Sequence, residues 1–178
     1  MEDHFDRLGL PRRFAVDPAV VERAYIARSR AVHPDYHLSG SSADLSASLE
    51  LSAALNEAYN TLRDPFARAE YLLTLEGGPS AAEHKQMPAA FLAEMLELRE
   101  RVEEARAGGA ENNPAAARLA AEFAARHDGL LREVGDRFEQ FERLPAGDPG
   151  RARLLAEVRG LLNAAKFVRG LIRDLHAD

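Results

Sequence analysis

The chain has 178 residues, 46% of them hydrophobic, which is enough for one ordinary domain or two small ones with packed cores. The absence of cysteine excludes a disulfide framework, a thiolate metal site and a cysteine nucleophile, and it suits a reducing compartment. The formal net charge of −6 argues against a general nucleic-acid binder, which would carry a basic surface. We expect neither a secretory signal nor a membrane span, because the first ten residues are acidic and no stretch approaches about 18 uninterrupted apolar residues.

The first part of the chain predicts a short helix and then a longer amphipathic one. Asp17 and Pro18 suit the N-cap and first position of the longer helix, since Asp accepts a free N–H and Pro lacks one. Pro34 disfavours helical geometry at His33, so this helix should end near Val32. The apolar residues expected on the inner faces are Phe5, Leu8, Val21, Tyr25 and Val32.

A third helix follows a polar loop and ends near residues 63–65, and a shorter helix continues from there. Its predicted apolar stripe is Leu51, Leu55, Ala58 and Leu62. Residues 76–88 are rich in small, turn-forming residues and lack apolar periodicity. We therefore expect this segment to connect two domains.

Three long helical patterns follow, joined by short connectors that favour antiparallel neighbours. The second and third open at Asn113-Pro114 and Asp148-Pro149, which are again cap and proline pairs. The whole pattern predicts an all-α chain that ends in a three-helix bundle. The predicted inward residues are Phe91, Met95, Leu98 and Val102; Leu119, Phe123, His127, Leu130, Val134, Phe138 and Phe141; and Leu154, Val158, Leu161, Ala165, Val168, Ile172 and Leu175.

Three segments resemble the HscB family of J-domain co-chaperones, which serve iron–sulfur cluster assembly. The tripeptide His33-Pro34-Asp35 between two helices resembles a J-domain, the module that stimulates ATP hydrolysis by DnaK-type chaperones. LNEAYNTLRDPFARAEYLL (55–73) resembles the third-helix signature of the family. FLAEMLELRERVEE (91–104) resembles the first helix of its C-terminal bundle.

The resemblance implies an all-α fold with an N-terminal J-domain helical hairpin (1–75), a linker (76–88) and a C-terminal antiparallel three-helix bundle (89–178). It implies a cytoplasmic co-chaperone that is not an enzyme and binds no cofactor. The implied partners are a DnaK/HscA-type ATPase chaperone, which the J-domain stimulates, and the iron–sulfur scaffold protein IscU, which the bundle delivers. No nucleic acid or membrane partner is implied.

The expected chaperone-binding surface combines the second helix with the loop that follows it. Arg23, Arg28 and Arg30 outweigh Glu22 on this helix, and a basic patch can steer an encounter with an acidic partner. The alternative is an ordinary solvated helix face. In the loop, the resemblance implies that the carboxylate of Asp35 meets an arginine of the chaperone, with Pro34 fixing the backbone. The alternative is a plain helix stop with a surface histidine, His33.

The expected scaffold-binding surface lies on helix 91–104. Leu92 and Leu96 fall about a quarter-turn or more away from the inward stripe, beside Glu100 and Glu103, with Glu97 further round the helix. They could widen the core stripe, or they could form an exposed apolar patch with an acidic rim that suits a protein partner. The resemblance implies that the IscU-binding positions are Leu92, Leu96, Glu97 and Glu100. Phe167 falls outside the inward stripe of the last helix, where it either pads the bundle edge or joins this surface.

Some residues depart from the family pattern. Tyr36 and His37 follow the tripeptide where a basic residue and an aromatic are common, and Arg28 and Ala93 replace a frequent Leu and Met. His33 and His37 have a spacing of four residues, but Pro34 breaks the helix that would make it a metal site, so we expect none. His127 is expected to be a boundary or core residue of the bundle and not a ligand. No catalytic constellation is apparent.

Two other functions remain open at this stage. A general J-domain co-chaperone would bind many unfolded clients instead of one folded scaffold. A structural adaptor would have lost chaperone stimulation, and only the Tyr36 and Arg28 departures support it.

Overall fold

The computed structural model describes residues 2–32, 42–107 and 113–176. Within these ranges the regular structure consists of seven helices, with no strand. The predicted loop residues His33, Pro34, Asp35, Tyr36 and His37 lie outside the described residues. The helices are α1 (His4–Leu8), α2 (Pro18–Val32), α3 (Ser42–Arg63), α4 (Pro65–Leu75), α5 (Ala89–Ala107), α6 (Pro114–Arg143) and α7 (Pro149–Leu175).

The chain divides into two compact units, Met1–Leu72 and Leu73–Asp178. In the first unit, α1, α2 and α3 pack against one another. The ring of Tyr25 stacks on that of Tyr59 with the centroids 4.3 Å apart, and the Tyr25 hydroxyl donates to Asn56 Oδ1 at 2.6 Å. These contacts join α2 to α3, so the two helices form a hairpin. The core beneath them is apolar: Phe5, Leu8, Val21, Leu55, Ala58 and Leu62.

One member of the predicted α3 stripe is not in this core. Leu51 is 55% exposed, although helical spacing puts it on the same face as Leu55. The residue buried in that part of α3 is Ser48. In the N-terminal half of α3, the buried face is therefore rotated around the helix relative to the C-terminal half. The spacing of apolar residues does not indicate this rotation.

The corner between α3 and α4 is held by polar contacts. Asp64 Oδ1 accepts hydrogen bonds from the backbone N–H groups of Phe66 and Ala67, so it caps α4. Arg68 is buried and donates from Nη1 to the carbonyl oxygen of Leu62 at 2.6 Å. Its guanidinium lies 5.3 Å from the centroid of the Phe14 ring, and burial lowers its pKa. Arg68 thereby satisfies an end of α3 that has no helical partner.

The second unit contains the three long helices predicted for the bundle. Pairs between Arg101 and Glu122 and between Arg126 and Glu94 show that α5 and α6 run antiparallel. A short turn then reverses the chain into α7, which packs along α6. Asn113 and Asp148 cap α6 and α7, each followed by proline at the first helical position, as predicted.

The predicted connector is attached to this bundle. Asn163 on α7 donates two hydrogen bonds from Nδ2, to the carbonyl oxygens of His84 and Gln86, both at 2.9 Å. Arg159 on α7 donates from Nε to the carbonyl oxygen of Pro79 at 3.1 Å. Residues 79–86 therefore lie along a face of α7 that would otherwise meet solvent, and they bury Arg159 and Asn163 there.

Candidate functional site

Two of the three basic residues predicted to bind the chaperone share the open face of α2. At about 100° per residue, Arg23 and Arg30 lie within about 20° of each other around the helix, with the exposed Ile26 beside them. Arg28 lies on a different side. A Cβ placed on Gly9 would come within 2.5 Å of Arg28 Nη2, so this guanidinium covers the end of α1. The structure thus groups Arg23 with Arg30 and separates Arg28 from them.

The predicted loop residues His33, Pro34 and Asp35 follow α2 in the sequence and lie outside the described residues. The helix before them ends at Val32, where the proline was expected to stop it. In the sequence, Arg30 precedes the first residue of the tripeptide by three positions.

Leu92 and Leu96 are exposed on α5. Leu92 is 52% exposed and Leu96 69%, whereas Phe91, Leu98 and Val102 on the adjacent face are buried. The two leucines therefore do not widen the core stripe. Glu97 and Glu100, which flank them, are also exposed. The four residues form an apolar patch with an acidic side, an arrangement that suits a protein partner.

Phe167 on α7 borders this patch. Its ring meets that of Phe91 edge to face, with the centroids 5.8 Å apart. The guanidinium of Arg99 lies 5.4 Å from the centroid of the Phe167 ring, close enough for a cation–π contact. Phe167 is half-buried, so it packs on α5 and keeps part of its surface open.

Two ion pairs connect α5 to α6. Arg101 donates two hydrogen bonds to the Glu122 carboxylate at 2.7 and 2.6 Å, and Arg126 donates to Glu94 Oε2 at 2.8 Å. The hydrogen bond from Arg101 lowers the pKa of Glu122, and the same bond raises the pKa of Arg101. These pairs lie on the side of α5 that meets α6, and the outward position of Leu92 and Leu96 follows from the burial of Phe91, Leu98 and Val102.

The described residues offer no site for a metal ion or a membrane span. Residues 2–32, 42–107 and 113–176 contain no group of three or more His, Asp or Glu side chains that could hold a metal. In those same stretches, none of the helices has the length and hydropathy needed to cross a bilayer. His127 lies half-buried in the bundle, its Nδ1 3.6 Å from Asp128 Oδ1.

The sequence did not predict two features of the site. Arg99 lies seven residues after Leu92, a helical spacing that puts both on one side of α5, and this signal could have linked it to the patch. Asn163 and Arg159 bind backbone carbonyls of residues 79–86, and no sequence pattern marks such acceptors.

Comparisons with known proteins agree with these observations. Residues 87–171 match the family model described as the HSCB C-terminal oligomerisation domain. The co-chaperone protein HscB homolog of Burkholderia mallei is 40% identical over 135 residues, which is 75% of this chain and 76% of that protein. The homolog of the same name from Chromobacterium violaceum is 44% identical over 107 residues, 60% of this chain and 61% of that protein, less than two thirds of its length.

Two solved structures share the fold over nearly the whole chain. Chaperone HscB from Vibrio cholerae superposes with a TM-score of 0.74 at 28% identity, covering 97% of this chain and 94% of that one. The human co-chaperone protein HscB superposes with a TM-score of 0.76 at 26% identity, covering 97% and 80%.

The fold is therefore an all-α J-domain helical hairpin followed by an antiparallel three-helix bundle, and the predicted fold class is confirmed. The matched relatives are named co-chaperones, which is a non-enzymatic role. The chain belongs to the HscB co-chaperone family, as the sequence resemblance indicated.

Proposed function

We propose that this chain serves iron–sulfur cluster biogenesis by bringing a scaffold protein to an ATPase chaperone. Residues 1–75 act as the J-domain and stimulate a DnaK/HscA-type ATPase. Residues 89–178 bind an IscU-type scaffold, and residues 76–88 link the two parts. The proposed location is the cytoplasm, following the family resemblance.

The single observation that carries the scaffold half is the exposure of Leu92 and Leu96. Two leucines that are 52% and 69% exposed on a well-packed helix cost free energy in water unless a partner covers them. Glu97 and Glu100 beside them would pair with cations on that partner and set its register. Phe167 supplies an aromatic side chain at the edge, the kind of residue enriched in interface centres.

The chaperone half is supported by the charge on α2. Arg23 and Arg30 project from its open face in a chain of net charge −6, so they can steer an encounter with an acidic surface of the chaperone. Asp35 then offers a carboxylate to a cation of the ATPase, with its backbone preset by Pro34. Hydrolysis is carried out by the partner, and this chain shifts the partner towards its competent conformation.

The J-domain assignment is tested by ATPase stimulation with Asp35→Asn. This substitution removes the charge and keeps the size of the side chain. We expect it to abolish stimulation of a DnaK-type chaperone, while Asp136→Asn on α6, an exposed residue of the second unit, leaves stimulation unchanged. Stimulation by wild type that survives Asp35→Asn would overturn the assignment, and no stimulation by wild type would support a structural adaptor.

The scaffold assignment is tested by calorimetric titration with the IscU-type protein encoded in the same genome. We expect Leu92→Ala with Leu96→Ala to weaken binding by about 100-fold, since each buried leucine at an interface contributes about 1–2 kcal/mol. The matched control is Leu49→Ala on α3, where the side chain is 55% exposed but lies in the other unit. Wild-type chain that binds unfolded peptides and ignores the scaffold would indicate a general J-domain co-chaperone.

A further inference from the structure

A groove of about 390 Å³ lies between α5 and α7, next to the proposed scaffold surface. Val102 and Leu171, both buried, form its floor, and Phe167 stands at one end. Because Phe167 also contacts Phe91 and Arg99, the groove begins at the same ring that borders the Leu92 and Leu96 patch. Arg99 and Phe167 therefore line the groove and also border the Leu92 and Leu96 patch.

The rim of the groove is basic although the chain as a whole is acidic. Arg99, Arg106 and Arg173 stand against Glu103 and Asp174. Arg173 Nη2 lies 3.6 Å from Asp174 Oδ1, so those two charges largely offset each other. Arg99 and Arg106 then outweigh Glu103, and the groove favours an anionic occupant.

On the side of Leu96 that lies away from the groove, α5 carries acidic residues. At about 100° per residue, Glu97 and Glu100 lie on the far side of Leu96 from the groove, while Arg99 and Arg106 lie on the near side. The apolar patch is therefore bordered by acid on one side and by base on the other. A partner that matches both sides can dock in one orientation only.

Gly170 lies in the wall of the groove. Apart from its chain neighbours and the surrounding helix backbone, no atom lies within 4 Å of the position that a Cβ on Gly170 would occupy, so packing does not require glycine there. Glycine inside a helix is disfavoured relative to alanine, and its presence in α7 therefore has no explanation in helix stability. Because Gly170 lines the groove, a large side chain at this position would change the shape of its wall.

We propose that the groove receives an acidic segment of the scaffold protein, one that carries an apolar side chain. The apolar group rests on Phe167 and Leu171, and the carboxylates face Arg99 and Arg106. This inference rests on the proposed function, because it extends the scaffold surface from the Leu92 and Leu96 patch. It predicts that the scaffold presents cations to Glu97 and Glu100 and anions to the groove.

The first test places a large side chain in the wall of the groove. Gly170→Leu in the full chain should weaken binding of the IscU-type scaffold by about tenfold or more, measured by calorimetric titration, while Gly170→Ala leaves the affinity unchanged. The control is Gly129→Leu on α6, where a Cβ would meet only the end of Arg132, at 3.6 Å. Circular dichroism checks that each variant keeps its helices.

The second test reverses charge on the rim. Arg106→Glu should slow association with the scaffold several-fold and reduce its dependence on salt, measured by stopped-flow mixing at two ionic strengths. Arg118→Glu on α6, another exposed arginine, should do neither.

The outcomes separate the groove from the proposed function. If wild type does not bind the scaffold, both fail. If wild type binds and Leu92→Ala with Leu96→Ala abolishes binding, but Gly170→Leu and Arg106→Glu bind as wild type, the scaffold surface stands and the groove proposal is overturned.

Discussion

The rings of Phe91 and Phe167 meet edge to face, with their centroids 5.8 Å apart and their planes at 87°. Phe91 is buried at the start of α5, and Phe167 is half-buried on α7. The contact joins α5, which carries Leu92 and Leu96, to α7, and the groove lies between these two helices. Neighbouring residues on α5 therefore have different tasks: Phe91 anchors the helix, and Leu92 and Leu96 remain free for a partner.

This division of tasks predicts opposite effects of two alanine substitutions. Phe91→Ala should lower the free energy of unfolding of the bundle by about 3–5 kcal/mol, because it leaves a cavity in a packed core. Leu96→Ala should change it by less than about 0.5 kcal/mol, because the side chain is 69% exposed. Urea unfolding followed by circular dichroism measures both. A large loss of stability in Leu96→Ala would mean that its effect on scaffold binding is indirect.

The contact between Asn163 and the connector predicts a local loss of stability. Asn163→Leu leaves the carbonyl oxygens of His84 and Gln86 without their donor, which should cost about 1–3 kcal/mol. Amide hydrogen exchange should rise in residues 79–88 more than in α6. The control is Gln140→Leu, since Gln140 is exposed on α6. Unchanged exchange in the connector would show that Asn163 does not hold it.

The pair between Arg101 and Glu122 should contribute little to stability. Both side chains are partly exposed, so a double-mutant cycle with alanine should give a coupling energy of no more than about 1 kcal/mol that falls in high salt. The pKa of Glu122 is lowered in the fold. The contribution is therefore present above the usual pH range of a glutamate and lost as the pH falls through the lowered pKa. A coupling that grows in high salt would contradict this.

His4 should make the first unit sensitive to mild acid. Its ring stacks on Tyr71 with the centroids 4.3 Å apart, and its pKa is lowered by burial, with Arg7 adding to the effect and Glu57 and Asp3 opposing it. Stability from neutral His4 is thus fully present above the usual histidine pKa of about 6.5 and is lost as the pH falls through the lowered value.

His4→Phe should remove this dependence because it keeps a ring on Tyr71 without a titrating nitrogen. All four tyrosines lie within residues 1–72 and the chain has no tryptophan, so tyrosine fluorescence reports on the first unit alone. Urea midpoints at pH 7.5 and 5.5 should differ less in His4→Phe than in wild type. Equal differences in the two proteins would exclude His4 as the cause.

The long helices of the bundle could be predicted because they depend on the spacing of apolar residues that are close in the sequence. Val134, Phe138 and Phe141 repeat at intervals of four and three and are buried as expected. The caps Asn113 and Asp148 mark where two of these helices begin. Capping and amphipathic burial depend on residues close in the chain, so one sequence suffices to find them.

Features that depend on distant residues could not be predicted in this way. Leu51 matches the α3 stripe but is exposed, because burial depends on which helices cover that end of α3. Arg28 belongs to a basic run, yet its guanidinium covers Gly9, about 20 residues earlier. Asn163 donates hydrogen bonds to backbone carbonyl oxygens almost 80 residues away in the sequence. Every residue has such a carbonyl whatever its side chain, so the sequence does not mark the acceptors.

The most direct test of the account is the ATPase rate of a DnaK-type chaperone with this chain, measured with and without the IscU-type scaffold. We predict synergy: the two proteins together stimulate hydrolysis more than the sum of their separate effects. Asp35→Asn should remove all stimulation by the chain, and Leu92→Ala with Leu96→Ala should remove only the part that needs the scaffold. Equal stimulation with and without scaffold, unaffected by the leucine substitutions, would contradict the central claim that one chain carries two docking surfaces.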